Sequence, residues 1–273
     1  MEPLLSIVIA NYNYGRFLSD AIESVIRQNI SEVELIIVDG GSCDESVEVI
    51  KKYESKIAWW CSERDSGQSN AFNKGFAHAH GKFLTWLNAD DVFAPDSLRK
   101  IVASIIKHPD IEWFTGNCLR FDQQGNVLEI CWGPHFYPKI LQYKSSPIVT
   151  FGPSTIFSRR IYELVGGVDE KLHYVMDNDL WLKFMKHGIQ QKRINCFCYY
   201  FRMHEMSKTA EYNGHKLTVA ATAALESEAA LIRSRLGYKE SPALRFLVHV
   251  LRIMDLSFFR RWWYQKTLRT IKF

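Results

Sequence analysis

The chain has 273 residues, 47% of them hydrophobic and 14% aromatic, enough apolar material for a substantial core and not the make-up of a disordered chain. Its formal net charge of +4, from 34 Lys and Arg against 30 Asp and Glu, is too small and, over most of the length, too evenly mixed for a nucleic-acid footprint. The six cysteines, Cys43, Cys61, Cys118, Cys131, Cys196 and Cys198, lack zinc-ligand spacing, so a reduced, cytoplasmic setting is expected.

Ser6 to Ala10 is a short β-rich run, followed by apolar residues at helical spacing through Phe17, Ala21, Ile22, Val25 and Ile26. Nothing before it has the form of a secretory signal. Val33 to Val38 reads as a second strand, broken by Asp39-Gly40-Gly41. Ser42-x-x-Glu45 then has the form of a capping box for a helix running toward Tyr53. Ile57 to Cys61 and a helix from about Gln68 form a third unit, and the buried-type strand Phe83 to Leu87 leads into Asn88-Ala89-Asp90-Asp91. A helix with Leu98, Ile101, Val102, Ile105 and Ile106 along one stripe follows. This order predicts an α/β fold with a mostly parallel sheet and helices on both faces.

Beyond it, Trp113 to Phe121 and Val127 to Ile130 read as strands joined at Gln123 to Asn126. Cys131 to Pro153 reads as an irregular loop over the site, and Ser154 to Phe157 as strand. Arg160 to Val165 reads as a short helix stopped by Gly166-Gly167, Asp179 to His187 as another helix, and Arg193 to Met203 as a late strand. From His215 onward the chain reads as a helical tail without further chemistry, and no stretch is apolar for long enough to span a bilayer.

Ligands of open α/β sheets collect at the carboxyl ends of the strands. Paired carboxylates there, Asp90 and Asp91, suit a hard divalent ion such as Mg²⁺ or Mn²⁺, although Asp91 could instead open a turn. Asp39, at the end of the second strand, could accept hydrogen bonds from a base or ribose, or serve as a turn residue before two glycines. Asp65 precedes a helix and could cap it, and Lys74 could touch phosphate or stay solvated. There is no G-x-G-x-x-G after the first strand and no P-loop, so neither common phosphate cradle is supported.

Ser6-Ile7-Val8-Ile9-Ala10-Asn11-Tyr12-Asn13, Ile36 to Ser42, Ser62 to Gln68, Leu87 to Asp91, Gly166 to Glu170 and Met176 to Trp181 occur in one order. In that order they resemble family 2 glycosyltransferases, and the resemblance covers roughly the first three quarters of the chain. It implies a GT-A fold, use of Mg²⁺ or Mn²⁺, and inverting transfer from a nucleotide-diphosphate sugar to a glycan or lipid-linked acceptor, as in cell-surface polysaccharide synthesis. By resemblance, Asn11 and Tyr12 line the nucleotide pocket, Asp39 contacts base or ribose, and Asp65 is a second nucleotide-side acid. Asp90 and Asp91 match the metal and ribose carboxylates, with Asn88 where an Asp is often found. Asp177 matches the general base, with Met176 replacing the usual Glu and Asp179 as the rival base. His204, in Phe201-Arg202-Met203-His204, could help bind metal or phosphate. A helix cap is the alternative for Asp177.

The resemblance divides the chain into a glycosyltransferase domain over 1–213 and a helical tail over 214–273. Within the domain, 1–117 forms the nucleotide-sugar half and 118–213 the acceptor side. Arg245, Arg252, Arg260, Arg261, Lys266, Arg269 and Lys272 alternate with aromatic residues including Trp262 and Trp263, with Asp255 the only acid from 245 to 273. That mixture suits an anionic membrane face, and equally a helix packed on the domain. Two rival readings remain at this stage, a sugar-phosphate nucleotidyltransferase and a catalytically silent scaffold at a membrane.

Overall fold

The computed structural model describes residues 2–133, 152–208 and 218–236. In chain order the first strands are β1 (Leu5–Asn11), β2 (Val33–Asp39), β3 (Trp59–Ser62) and β4 (Phe83–Asn88). Successive side chains on a strand point to opposite faces, and β1 shows the result. Leu5, Ile7 and Ile9 enter one core with α1 (Gly15–Ile26), α2 (Ser46–Lys52) and α4 (Ser97–Lys107). Val8 points the other way, to a second core with α3 (Gln68–Ala77), α5 (Arg159–Leu164) and α6 (Met176–Lys186). Trp86 of β4 stacks on Trp181 of α6 there, with ring centroids 5.5 Å apart.

The remaining described strands are β5 (Val92–Phe93), β6 (Trp113–Asp122), β7 (Val127–Cys131), β8 (Thr155–Ser158) and β9 (Gln191–Met203). The sheet runs β3-β2-β1-β4-β8-β6-β9-β5, with β7 on β6. From β3 to β4 it is parallel, as expected. Beyond β4 it is mixed: β8 runs antiparallel to β4 and β6, and β5 antiparallel to β9. The change sets in at β8, which lies between β4 and β6 and runs antiparallel to both.

Several boundaries differ from the sequence reading. The capping box at Ser42 and Glu45 does not form: Glu45 makes no side-chain cap bond, and Asp44 instead accepts from the Ser46 N–H at 3.1 Å. Helix α6 starts at Met176, so Asp177 lies in its first turn and does not cap a helix beginning at Asp179. Residues 219–236 form α7 (Val219–Leu236), which packs on α6 through Ile232, Val175 and Leu182. The start of the expected tail is therefore part of the domain wall. Residues 134–151, most of the expected loop, and 245–273, the basic and aromatic stretch, lie outside the described residues.

Candidate active site

In parallel register the carboxyl ends of β1, β2, β3 and β4 bring Asn11, Asp39, Ser62 and Asn88 to one sheet edge. The chain reverses its direction of strand addition between β1 and β4, with α1 and α3 on opposite faces, which opens a crevice at that edge. A cavity of about 1160 Å³ lies there. Asn11, Tyr12, Asp65, Asp90 and Asp177 all line it, as do Gly40, Gln68 and Lys208.

On the nucleotide side, Asp39 is fully enclosed and does not line the cavity. Its carboxylate accepts from Asn11 Nδ2 at 2.6 Å, Ser42 Oγ at 2.5 Å, Ser42 N at 2.9 Å and Ser62 Oγ at 2.6 Å. It thus ties three loops together from behind the wall, where a direct contact with base or ribose had been expected. Ser42 also accepts from Asn13 N at 2.7 Å, the role it takes in place of capping. Asp65 accepts from Gly67 N at 2.8 Å and lies so close over Gly40 that a Cβ there would meet its Oδ2 at 2.9 Å. Lys74, expected as a phosphate contact, does not line the cavity and pairs with Glu63 at 2.9 Å.

The acidic pair after β4 splits. Asp91 is fully buried, accepting from Arg202 N at 3.0 Å and Asn88 Nδ2 at 2.8 Å. Burial, with the Asp90 carboxylate beside it, pushes Asp91 well above the usual carboxylate range. Asp91 is therefore a poor leading metal ligand, because both oxygens face donors of the chain and none lines the cavity. Asp90 faces the cavity, with Oδ2 3.0 Å from His204 Nε2. His204 is fully buried against Phe17 and Tyr14, and its Nδ1 accepts from Met206 N at 3.2 Å. In the neutral ring that leaves the proton on Nε2, directed at Asp90. Arg202, which went unassigned in the sequence, binds the Asp90 carbonyl at 3.0 Å and Asp20 at 2.8 Å.

On another wall, Asp177 is half-buried and accepts from Asn178 N at 2.7 Å. Burial pushes its carboxyl up to about 6, against the lowering pull of that N–H and of Lys208. Burial likewise lowers the Lys208 ammonium. Asp179 does not line the cavity. It is buried and bound by Arg235 at 2.5 Å and Lys183 at 3.1 Å, so its oxygens are committed to cations, and of these two acids only Asp177 faces the cavity.

Residues 6–164, more than half of the chain, match the profile of Glycosyl transferase family 2. An uncharacterized glycosyltransferase of Rickettsia prowazekii (strain Madrid E) is 30% identical over 191 residues, which make up 68% of this chain and 59% of that protein. The chain thus spans about three fifths of that relative's length. Among solved structures, a mannosyltransferase from Pyrobaculum calidifontis in complex with GDP-Man and Mn²⁺ superposes with a TM-score of 0.56 at 15% identity, over 98% of this chain and 85% of that one. S. aureus TarS 1–349 in complex with UDP-GlcNAc superposes with a TM-score of 0.57 at 16% identity, over 83% of this chain and 71% of that one. Those two likenesses speak of the fold, which is of the GT-A type. On the profile match, the protein belongs to Glycosyl transferase family 2.

Proposed function

We propose that this glycosyltransferase moves a sugar from a nucleotide-diphosphate donor to an acceptor hydroxyl with inversion at the anomeric carbon. The observation that carries the reading is one cavity with Asp90, bonded to His204, in one wall and Asp177, raised to about 6, in another. Asn11, Tyr12, Asp65 and the Gly40 backbone suit the nucleotide end, with Asp39 holding their loops from behind. Relatives in fold bind GDP-Man and UDP-GlcNAc, which supports a hexose-type donor here.

Asp90 offers a carboxylate to the cavity, while His204, expected to help bind metal or phosphate, is buried behind it and does not line the cavity; no group of three or more metal-type ligands occurs among the described residues. A carboxylate at the cavity would suit Mg²⁺ or Mn²⁺, ions that commonly take phosphate oxygens and water as further ligands. His204 would act through Asp90, orienting its carboxylate by the Nε2 hydrogen bond. Once bound, the ion supplies positive charge to the departing diphosphate.

Ionised Asp177 takes the proton of the acceptor hydroxyl as that oxygen bonds to the anomeric carbon. The bond from this carbon to the diphosphate oxygen breaks, and its electron pair leaves with the nucleoside diphosphate. One base and one displacement give inversion, with no covalent intermediate. The acceptor is a glycan or lipid-linked oligosaccharide in cell-surface polysaccharide synthesis, and the basic, aromatic stretch 245–273 holds the enzyme at an anionic membrane face. No described helix is long and apolar enough to cross a membrane.

The test is release of nucleoside diphosphate from a panel of UDP- and GDP-sugars with Mn²⁺, with and without EDTA. Release from at least one donor that stops in EDTA is expected. Absence of release from every donor would favour the silent scaffold, and release unchanged by EDTA would remove the metal. Deleting the residues after Pro242 should reduce binding to anionic vesicles while sparing donor turnover.

A further inference from the structure

We infer that Glu228, on helix α7 beyond the region matched to the family, is a positioning residue that holds the candidate base Asp177 in place. The inference rests on the reading of Asp177 as base. Three successive backbone N–H groups converge on the Glu228 carboxylate. His173 N reaches Oε1 at 2.9 Å, while Tyr174 N and Val175 N reach Oε2 at 2.8 and 3.2 Å. Consecutive amides aimed at one point form a concave anion seat, and here the anion belongs to a helix 53 to 55 residues further along the chain.

The seat matters because α6 has no side-chain cap of its own at this end. Its N-cap position, Val175, makes no side-chain cap bond, and Lys171 to Val175 contains no Ser, Thr, Asp or Asn that could supply one. Asp177 follows two residues after the last amide that Glu228 holds. The other side of the same segment is also pinned, since Lys208 Nζ donates to the His173 carbonyl.

Helix α7 is itself registered against α6. Ile232 is fully buried beside Val175 and Leu182, and Arg235, about two turns past Glu228, binds Asp179 at 2.5 Å and Asp169 at 2.9 Å. A rotation or slip of α7 would therefore have to break contacts at both ends. Leu225 and Ala229, on the turns around Glu228, line the cavity. One helix both closes the wall and fixes the residue that works inside it.

Misplacement of a reacting group by about 1 Å can cost on the order of a hundredfold in rate. In full-length protein, Glu228→Ala is expected to lower kcat about tenfold or more, measured with whichever nucleotide sugar the wild type turns over. Affinity for UDP or GDP with Mn²⁺ should stay within about twofold. Glu228→Gln should recover only part of kcat, because one amide oxygen can still accept from Tyr174 N and Val175 N while the NH2 group would face the His173 N–H. In an Asp177→Asn background, Glu228→Ala should cause no further loss, since two residues acting as a unit are not additive.

An active Asp177→Asn would overturn the base reading, and this inference with it. An inactive Asp177→Asn beside a Glu228→Ala with wild-type kcat would overturn the inference alone. Equal losses of nucleotide affinity and kcat in Glu228→Ala would also overturn it, by showing general loosening. Should Glu228→Ala fail to fold, Glu228→Asp decides: a shorter carboxylate should lower kcat with nucleotide affinity intact, and wild-type kcat would overturn the inference.

Discussion

Asn88 donates its side-chain amide to Oδ2 of Asp91 at 2.8 Å, and its own Oδ1 accepts from Gln68 Nε2 at 2.7 Å. An amide is the residue this position needs, because the neighbour it faces is a fully buried carboxyl. The departure from an Asp at the head of the acidic motif thereby has a physical reason. Asn88→Asp would set a second carboxyl against Asp91, and one of the two would have to keep its proton. The variant should lose about 1–3 kcal/mol of stability, with the gap to wild type wider at pH 8 than at pH 5. Thermal melts at both pH values check this, and a gap that does not widen would contradict it.

Asp177 must be ionised to accept a proton. With its carboxyl raised to about 6, kcat should fall as pH drops through about 6 and level off above it. Asp177→Asn should lose most turnover and keep nucleotide binding. A pH–rate profile of nucleoside diphosphate release reads the limb directly; a limb in the ordinary carboxylate range would point to another group.

Asp179→Asn should behave in the opposite way. Its partners Arg235 and Lys183 are partly exposed, so removing the charge should cost about 1–3 kcal/mol of stability while turnover at 25 °C stays near wild type. Denaturant melts alongside initial rates separate the two effects. Loss of turnover in a stably folded Asp179→Asn would return the base assignment to this residue.

Asp90→Asn and His204→Gln should each weaken Mn²⁺-dependent nucleotide binding by about 10- to 100-fold, whereas Asp91→Asn should mainly lower stability. Calorimetric titration of UDP and GDP with and without Mn²⁺ measures this. If Asp91→Asn abolishes metal-dependent binding in folded protein, the split between the two acids is wrong.

Gly40→Ala would bring a methyl within 2.9 Å of Asp65 Oδ2. The carboxylate must then shift from the nucleotide wall, and nucleotide affinity should drop about tenfold with little change in melting temperature. Unaltered affinity would show that Asp65 has no part in the nucleotide pocket.

The sequence exposes the strands β1, β2 and β4 because each is a short apolar run closed by polar residues, and α3 begins at Gln68 as expected. It also brings Asn11, Tyr12, Asp65, Asp90 and Asp177 to attention, all of which meet at one cavity. What it hides is direction. Adjacent acids such as Asp90 and Asp91 look equivalent on paper, yet the turn after β4 sends one into the cavity and the other into the interior. The Ser42 motif misleads because a serine already bonded to Asp39 and to Asn13, 29 residues back, has no reason to cap the local helix. Glu228 is invisible for the same reason: its partners are amides 53 to 55 residues away, and backbone groups carry no sequence signal.

Asp90 and His204 stand 114 residues apart in the chain, and Arg202, which ties Asp90 to α1, is almost as distant. During synthesis at roughly 5–20 residues per second, about 6 to 23 seconds separate the appearance of the acid from that of its histidine. Over that interval the first four strands can pair in their parallel order, while the β9 edge that completes the acid-bearing wall has yet to be made. Pairing of β6 with β9 is non-local and belongs with the slow steps of folding. A ribosome-bound chain that already displays Asn88 to Asp91 is thus an unfinished vessel, whose acid-bearing wall waits for Arg202 and His204 to be made.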